Sequence, residues 1–491
     1  MPTPPPAAVR TRVGDLPAAF WWLWLAVLVT WIGRFVVPFL TLYLTSDAGL
    51  SSAQAGTVVA AYGVGIVVST LVGGVLTDRV GRKATLAGSE LLSAVALLLV
   101  PSFASPVGIA VLLLVYGLVS GAAQPAIATM VADMVPPAHR RAAFSYNTWA
   151  INLGYAIGPM LAGLLADQAF ELLFYAQAGV LVVSGLVVLA KVPETRHVGG
   201  RRPQGRRARV RAASPADVLD APPAAAVPAD RPADLPAPRV WRDRVFLTFV
   251  LAMFLYSVVY VQSTTTLPLV MTEQGMTSRE YGYLLTLNGL LLCLLQIPAV
   301  RLLGRWRHEV VLATAVAVTA VGMLVQSAAT TLAVLGLAVA VWTLGELGTH
   351  PVAQATSADL APARSRGRYQ GTYALSFSAA TVVAPIVGGL VLDAFGSRVL
   401  WWGCAGLCLL VCVLLTLTAR SRERRAVQVL AENEGHDAPT TTAPGGPDRP
   451  ADRTHPADRA HPADPTYPAD RPLPETTPAP ATGAVQDLRV R

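Results

Sequence analysis

Apolar runs follow one another along most of this chain, each ended by a short polar connection. Twelve of them cover approximately 18–45, 53–76, 84–100, 107–132, 142–166, 171–190, 245–271, 280–303, 309–327, 331–357, 368–392 and 398–418. Each is long enough to cross a ~30 Å hydrocarbon core as a helix. Alternation with period two is absent, so the backbone is expected to find its hydrogen bonds inside helices rather than in a closed barrel. The predicted fold class is therefore all-α integral membrane, with twelve transmembrane helices. The first run, "FWWLWLAVLVTWIGRFVVPFLTLYL", is too long for a signal peptide and lacks a small-residue cleavage site, so it is read as a retained first span.

The chain repeats itself. At a shift of 226 residues, with no gap, "DAGLSSAQAG" (47–56) falls on "EQGMTSREYG" (273–282). Pro125, Asp133, Pro136, Arg140, Pro159, Gly163 and Asp167 fall on Pro351, Asp359, Pro362, Arg366, Pro385, Gly389 and Asp393. Two six-helix bundles, 18–190 and 245–418, are thus expected as parallel repeats, an arrangement in which secondary transporters place their substrate between the halves near the midplane. Segment 1–17 is expected to be a cytoplasmic N-terminal segment. Segment 191–244, rich in Pro, Ala and Arg, is expected to be a disordered linker, and 419–491, with its repeated "PAD", a disordered tail. The linker's cluster Arg201–Arg211 suits either anionic lipid headgroups or plain solvation, and metal binding by His455 and His461 is disfavoured.

Composition and charge narrow the function. The 491 residues are 53% hydrophobic and 14% charged, with mean hydropathy +0.49, where a soluble domain carries about a quarter charged residues. The net charge of +8 does not read as nucleic-acid binding, because the cations gather on alternate connections. Arg79, Arg82, Lys83, Arg140, Arg141, Arg301, Arg305, Arg307, Arg364, Arg366 and Arg368 share one side, against Arg279 and Arg398 on the other. That asymmetry predicts a multi-pass protein of the cell membrane with both termini cytoplasmic. Cys293, Cys404, Cys408 and Cys412 all fall within spans and are read as packing residues. No phosphate loop, zincin helix or nucleophile elbow occurs, so an enzyme is not expected, nor a cofactor or metal.

The connection "GGVLTDRVGRK" (73–83) then resembles the signature that the major facilitator superfamily carries between its second and third helices, and the likeness extends over about 400 residues. It implies that Gly74, Asp78, Arg79, Gly81, Arg82 and Lys83 form a gating motif holding the halves' cytoplasmic ends together in the outward-open state. The matching place in the second half has Gly304 where Asp78 would fall, so the gate is asymmetric. "NLGYAIGPMLAG" (152–163) resembles the family's antiporter motif through Gly154, Gly158, Pro159 and Gly163, with Ala162 departing from it. The plainer reading is a Pro-kinked packing helix. The arginine of the family's drug-antiporter fourth helix is missing, with Gly117 in its place, which puts coupling by the usual route in doubt.

Ionisable residues inside spans are functional candidates, because a lone charge at the bilayer centre costs at least ~2.5 kcal/mol. Glu346 lies near mid-membrane in "VWTLGELGTHPVAQ", with His350 one turn on. This helix and "YNTWAINLG" resemble multidrug antiporters of the LmrP and MdtH type. That resemblance implies a role for Glu346 in proton and cation recognition, and puts Asn147 where an acid is expected. A buried acid capped by hydroxyls is the plainer alternative for Glu346, and ordinary packing for His350. Arg34 substitutes for the missing arginine, binds an anionic substrate, or pairs with Glu90. Asp133 and Asp359 are read as structural ion pairs beside Arg140 and Arg366. The proton-coupling candidates are thus Glu346, Arg34, Glu90 and His350. The substrate candidates are Tyr43, Tyr146, Asn147, Trp149, Asn152, Tyr256, Tyr260, Asn288 and Glu346, a set that suits a roomy, partly apolar cavity. The expected function is secondary active transport by a monomer whose partners are protons, a small-molecule substrate and the lipid bilayer. The leading form is proton-coupled efflux of amphipathic compounds, and the alternative is import of a peptide or small organic anion.

Overall fold

The computed structural model describes residues 13–195 and 240–437; the linker and tail expectations for 196–239 and 438–491 lie outside the described residues. Among the described residues, fourteen α-helices build the twelve expected crossings. The first crossing is broken into α1 (Ala18–Ile32) and α2 (Val36–Ser46), and α3 (Ser52–Val80) and α4 (Arg82–Leu99) are continuous. The fourth crossing is α5 (Pro106–Ser120) followed by α6 (Ala123–Met134), and α7 (Arg140–Ala166) and α8 (Glu171–Lys191) complete the first half. The second half begins with α9 (Arg244–Thr265) and the short α10 (Leu267–Glu273). It continues with α11 (Ser278–Leu303), α12 (His308–Ser327), α13 (Leu332–Asp359) and α14 (Arg366–Asp437). The last of these holds two crossings, separated at Gly396, whose φ of 77° only glycine adopts without strain. Large apolar side chains such as Leu71, Val107, Leu294 and Phe395 are exposed, as a lipid-facing surface requires.

The sequence repeat has a local physical cause. Gly49 and Gly275 both take positive φ, and each leads into a capping box. Ser51 with Gln54 opens α3, and Thr277 with Glu280 opens α11, side chain and backbone exchanging bonds in both cases. The best-matched segments of the repeat are thus two copies of one helix start.

At the break between α1 and α2 the helix leaves the Val36 N–H free. It donates to Gln177 Oε1 at 2.8 Å, so the interruption is satisfied from α8.

The two halves meet most closely toward the end that carries few arginines. There α3 packs on the first crossing of α14, and α11 packs on α7. A Cβ on Gly56 would lie 2.0 Å from the Pro385 carbonyl oxygen, one on Gly282 2.6 Å from that of Pro159, and one on Gly389 2.3 Å from that of Ser52. About midway along the helices, Thr70 bonds Ser378 across the halves at 3.0 Å. The structure is therefore closed at the arginine-poor end.

One boundary needs correction. The tail was expected to leave helical structure at 419, yet α14 runs on to Asp437. Charge pairing holds this extension where apolar burial stops. Arg422, 1% exposed, pairs with Glu309 of α12 and donates to Thr418 and to the Leu415 carbonyl. Arg425 bonds Asp243, which caps α9, at 3.1 Å, and Asn433 accepts from the Ala363 N–H at 3.0 Å.

Candidate functional site

Glu346 sits midway along α13 and is 6% exposed. Tyr260 Oη of α9 donates to its Oε1 at 3.0 Å, and Asn288 Nδ2 of α11 donates to its Oε2, also at 3.0 Å. Asn288 is in turn fixed by Thr343, 2.9 Å away, whose own hydroxyl bonds the Val339 carbonyl. His350 Nε2 is 4.0 Å from Oε1, one helical turn on, and its ring packs edge-on against Tyr260 at 5.0 Å. The carboxyl is thus held by neutral donors, and the nearest basic group is an imidazole rather than a fixed cation.

This carboxyl lines two adjoining cavities between the halves. The larger, 420 Å³, is bounded by Tyr256, Tyr260, His350, Gln354, Tyr373 and Phe377 among others. The smaller, 180 Å³, reaches Trp31, Tyr155 and Gly289. Asn152 of α7 and Gln296 of α11 close the seam between the halves with a 2.6 Å hydrogen bond. The lining is aromatic and apolar with a few convergent polar groups, the usual make-up of a small-molecule site.

The structure brings together Asn152, Tyr256, Tyr260, Asn288, Glu346 and His350 from the predicted set. Tyr43, Tyr146, Asn147 and Trp149 are not among the cavity's lining residues. Tyr43 is buried against Phe170 and Phe174, and Tyr146 packs on Trp21, with its carbonyl accepting from Trp24. Trp149 is 49% exposed. Thr343, Gln354, Tyr373 and Phe377 went unpredicted. Thr343 was legible, three residues before Glu346 on the same helical face. Phe377 is one apolar residue among many, and only packing shows where it points.

Arg34 and Glu90 do not meet. Arg34, in the break after α1, donates to Tyr62 Oη at 3.2 Å and stacks on Trp31 at 4.7 Å. Glu90 of α4 instead contacts Thr30 and Ser184. The repeat explains the layout, since Arg34 and Tyr62 correspond, 226 residues on, to Tyr260 and Asn288. The same two positions hold a guanidinium and a phenol in one half, and two donors converging on a carboxylate in the other.

The two motifs divide cleanly between packing and charge. In the antiporter-like motif, a Cβ on Gly154 would strike Trp31 at 2.5 Å and one on Gly158 the Ile32 carbonyl at 2.5 Å, so both glycines seat the α1 break. The Pro159 carbonyl and Gly163 face α11 of the other half, a Cβ on Gly163 lying 2.8 Å from the Ser278 carbonyl. In the gating motif, Gly81 takes φ 111° at the turn and Arg82 pairs with Asp133 at 3.3 Å. Gly74 borders open space, and Asp78 and Arg79 are exposed. Asp133 does form an ion pair, but with Arg82 rather than Arg140, and Asp359 lies 3.6 Å from His308 Nδ1 rather than beside Arg366.

At the arginine-poor end two carboxylates related by the repeat bind the opposite half. Asp393 Oδ1 and Oδ2 accept from the N–H groups of Ser52 and Ala53, at 3.2 and 2.8 Å, at the start of α3. Asp167 pairs with Arg279, at the start of α11, at 3.2 Å. Helix N-termini favour such anions, so both contacts are electrostatically sound.

Comparison with known proteins agrees with this architecture. The chain is 24% identical over 407 residues to the uncharacterised transporter YhjO of Bacillus subtilis, covering 82% of this chain and 93% of that one. It is 26% identical over 376 residues to a Na+, Li+, K+/H+ antiporter of Planococcus maritimus, covering 72% and 84%. The quinolone resistance protein NorA of Staphylococcus aureus matches at 30% over 171 residues, 34% of this chain and 43% of that one. A crystal structure of a POT family transporter with a thioalcohol-conjugated peptide superposes with TM-score 0.67 at 14% identity, over 83% and 97% of the chains, which speaks to the fold alone. These matches do not single out the LmrP and MdtH type. The profile of the Major Facilitator Superfamily matches residues 23–278 and 263–450, and with two six-helix halves enclosing a shared cavity the chain is a membrane transporter belonging to that superfamily.

Proposed function

We propose that the protein is a proton-driven exporter of amphipathic, cationic or neutral compounds, working by alternating access in the cell membrane with its arginine-rich end in the cytoplasm. The observation that carries this reading is Glu346, a buried carboxyl that faces the cavity and is held by hydrogen bonds from Tyr260 and Asn288, with His350 4.0 Å away. When ionised it attracts a cation, and when protonated it releases one and tolerates the dry intermediate between open states. Drug and proton therefore compete for one group, and exchange follows from electrostatics. One proton entering down ~100 mV releases ~2.3 kcal/mol, and one pH unit adds ~1.4. Together these sustain a substrate gradient of several hundredfold. The names of the quinolone resistance and antiporter relatives support efflux and exchange.

In this orientation the structure is inward-open. The exposed Asp78 fits that state, because its expected work is to join the cytoplasmic ends in the opposite one. The test is transport of a monocationic dye into inverted vesicles: Glu346→Gln loses proton-dependent uptake while keeping binding of a neutral analogue. Unchanged proton-driven uptake by that variant would overturn the reading. A second reading, import of a small organic anion or peptide, is favoured by one observation: no carboxylate pairs with Arg34 among the described residues. Under it Arg34→Gln, not Glu346→Gln, abolishes anion accumulation.

A further inference from the structure

Glu90 lies outside both cavities, buried between α4, α1 and α8 at 5% exposure. Its Oε1 forms a triangle with two hydroxyls: Thr30 Oγ1 at 3.0 Å, Ser184 Oγ at 2.9 Å, and these two 2.9 Å from each other. Ser184 Oγ is also 3.2 Å from the Ala26 carbonyl. Its Oε2 is buried with no hydrogen-bond partner, as is Ser93 Oγ one turn on.

The protons can be counted. Four close oxygen–oxygen contacts need hydrogens between them, and Thr30 and Ser184 supply one each. An ionised Glu90 takes both hydroxyl protons. That leaves the Ala26 carbonyl and the Thr30–Ser184 contact as lone pairs facing lone pairs, and an unpartnered carboxylate oxygen in the interior. A protonated Glu90 adds a third hydrogen, so the donors run Glu90 to Thr30, Thr30 to Ser184, and Ser184 to the Ala26 carbonyl, leaving one of the four contacts without a hydrogen instead of two. A neutral acid also removes the cost of a buried charge with no counter-ion.

Among the described residues, no ion pair or hydrogen bond joins Glu90 to a charged group of the surrounding helices. Tyr62 of α3 bonds Arg34, Tyr116 of α5 accepts from Gln177, and Asp133 of α6 is paired with Arg82. Lys191 of α8 lies over Trp22, Glu171 and Tyr175 are at the far end of that helix, and Asp78 and Arg79 are exposed.

We propose that Glu90 is a proton-binding site in its own right, separate from the substrate cavity and loaded in the state seen here. Thr30, one of its two partners, and the Ala26 carbonyl that the other, Ser184, bonds both belong to α1, whose broken end is seated by Gly154 and Gly158 of the antiporter-like motif. Movement of α1 away from α4 and α8 opens the triangle. The carboxyl O–H bond then breaks, the proton passes to water, and Ser184, parted from the Ala26 carbonyl, donates to the carboxylate, which also gains solvent. Each cycle thereby carries a second proton beside the one exchanged at Glu346. This role rests on the proton-driven reading, whereas the presence of the proton does not.

The experiment is infrared difference spectroscopy of the full-length protein in lipid nanodiscs, between neutral and strongly alkaline pH, followed by charge-to-substrate measurements in proteoliposomes. A protonated-carboxyl C=O stretch is expected at neutral pH in the wild type and in Glu346→Gln, and its loss in Glu90→Gln. Should Glu90→Gln fail to fold, Ser184→Ala shifts the same band by removing a partner of the acid. A band that neither variant alters, or no band at all, overturns the site. The charge moved per substrate is expected to fall by one in Glu90→Gln, with substrate affinity unchanged. A ratio equal to wild type overturns the coupling role. Loss of efflux in Glu346→Gln and loss of the band in Glu90→Gln are separate readouts, so either reading can fail alone.

Discussion

Gly56→Ala tests the closed gate at its tightest point. The added Cβ would lie 2.0 Å from the Pro385 carbonyl oxygen and 2.8 Å from its carbon, where ordinary contact begins at 3.4 Å. Backbone, not a flexible side chain, stands in the way. Neighbouring contacts on the same pair of helices leave no slack, since Gly63 and Gly389 are equally close to the Thr381 and Ser52 carbonyls, at 2.5 and 2.3 Å. Closure with the methyl present therefore forces the helices apart by more than 1 Å along much of the interface. Overpacking of this kind costs ~1–3 kcal/mol. Taking ~2, the closed population falls about thirtyfold relative to the state open at that end. The assay is electron–electron distance measurement between spin labels at Ser105 and Thr330, one at the arginine-poor end of each half, in a background with the four native cysteines replaced. The short distance dominates in the parent protein and the long distance in Gly56→Ala, with transport lost. Gly88→Ala, which meets nothing within 4 Å, serves as the control. A Gly56→Ala protein with the parent distance distribution would refute the reasoning.

Asp393→Asn keeps one acceptor for Ser52 and Ala53 but removes the charge; discounted for the exposure of this site, the loss is ~1 kcal/mol, and the same labels should report about a fivefold shift toward opening. Asp78→Asn should insert and express normally yet lose turnover, and near-normal transport by a well-expressed variant would remove the gating role. Arg422→Ala leaves Glu309 without its partner and should destabilise by about 3 kcal/mol, read as a lower unfolding midpoint of the purified protein.

Hydropathy by itself determined the twelve crossings, because lipid leaves the backbone no alternative to internal hydrogen bonding, and the 226-residue repeat determined the two-half plan. The repeat foretold still more than it was read for: Ser51 with Gln54 and Thr277 with Glu280 are the same cap, and Asp167 and Asp393 make the same kind of contact across the halves. Glu346 stood out as a lone acid in an apolar run, since charge at that depth needs a reason. Tertiary structure alone decided who meets whom. Arg34 and Glu90 are a basic and an acidic residue on spans of the same half, yet one turns to Tyr62 and the other to Thr30 and Ser184, because the break after Ile32 redirects the chain between them. Tyr43 and Tyr146 share the composition of cavity residues but pack against Phe174 and Trp21, since a helix in lipid has apolar surroundings on every side and its sequence does not mark the inward face. The helix beyond residue 418 was invisible for the opposite reason: ion pairs with Glu309 and Asp243, distant in sequence, stabilise a segment whose own composition is that of a solvated tail.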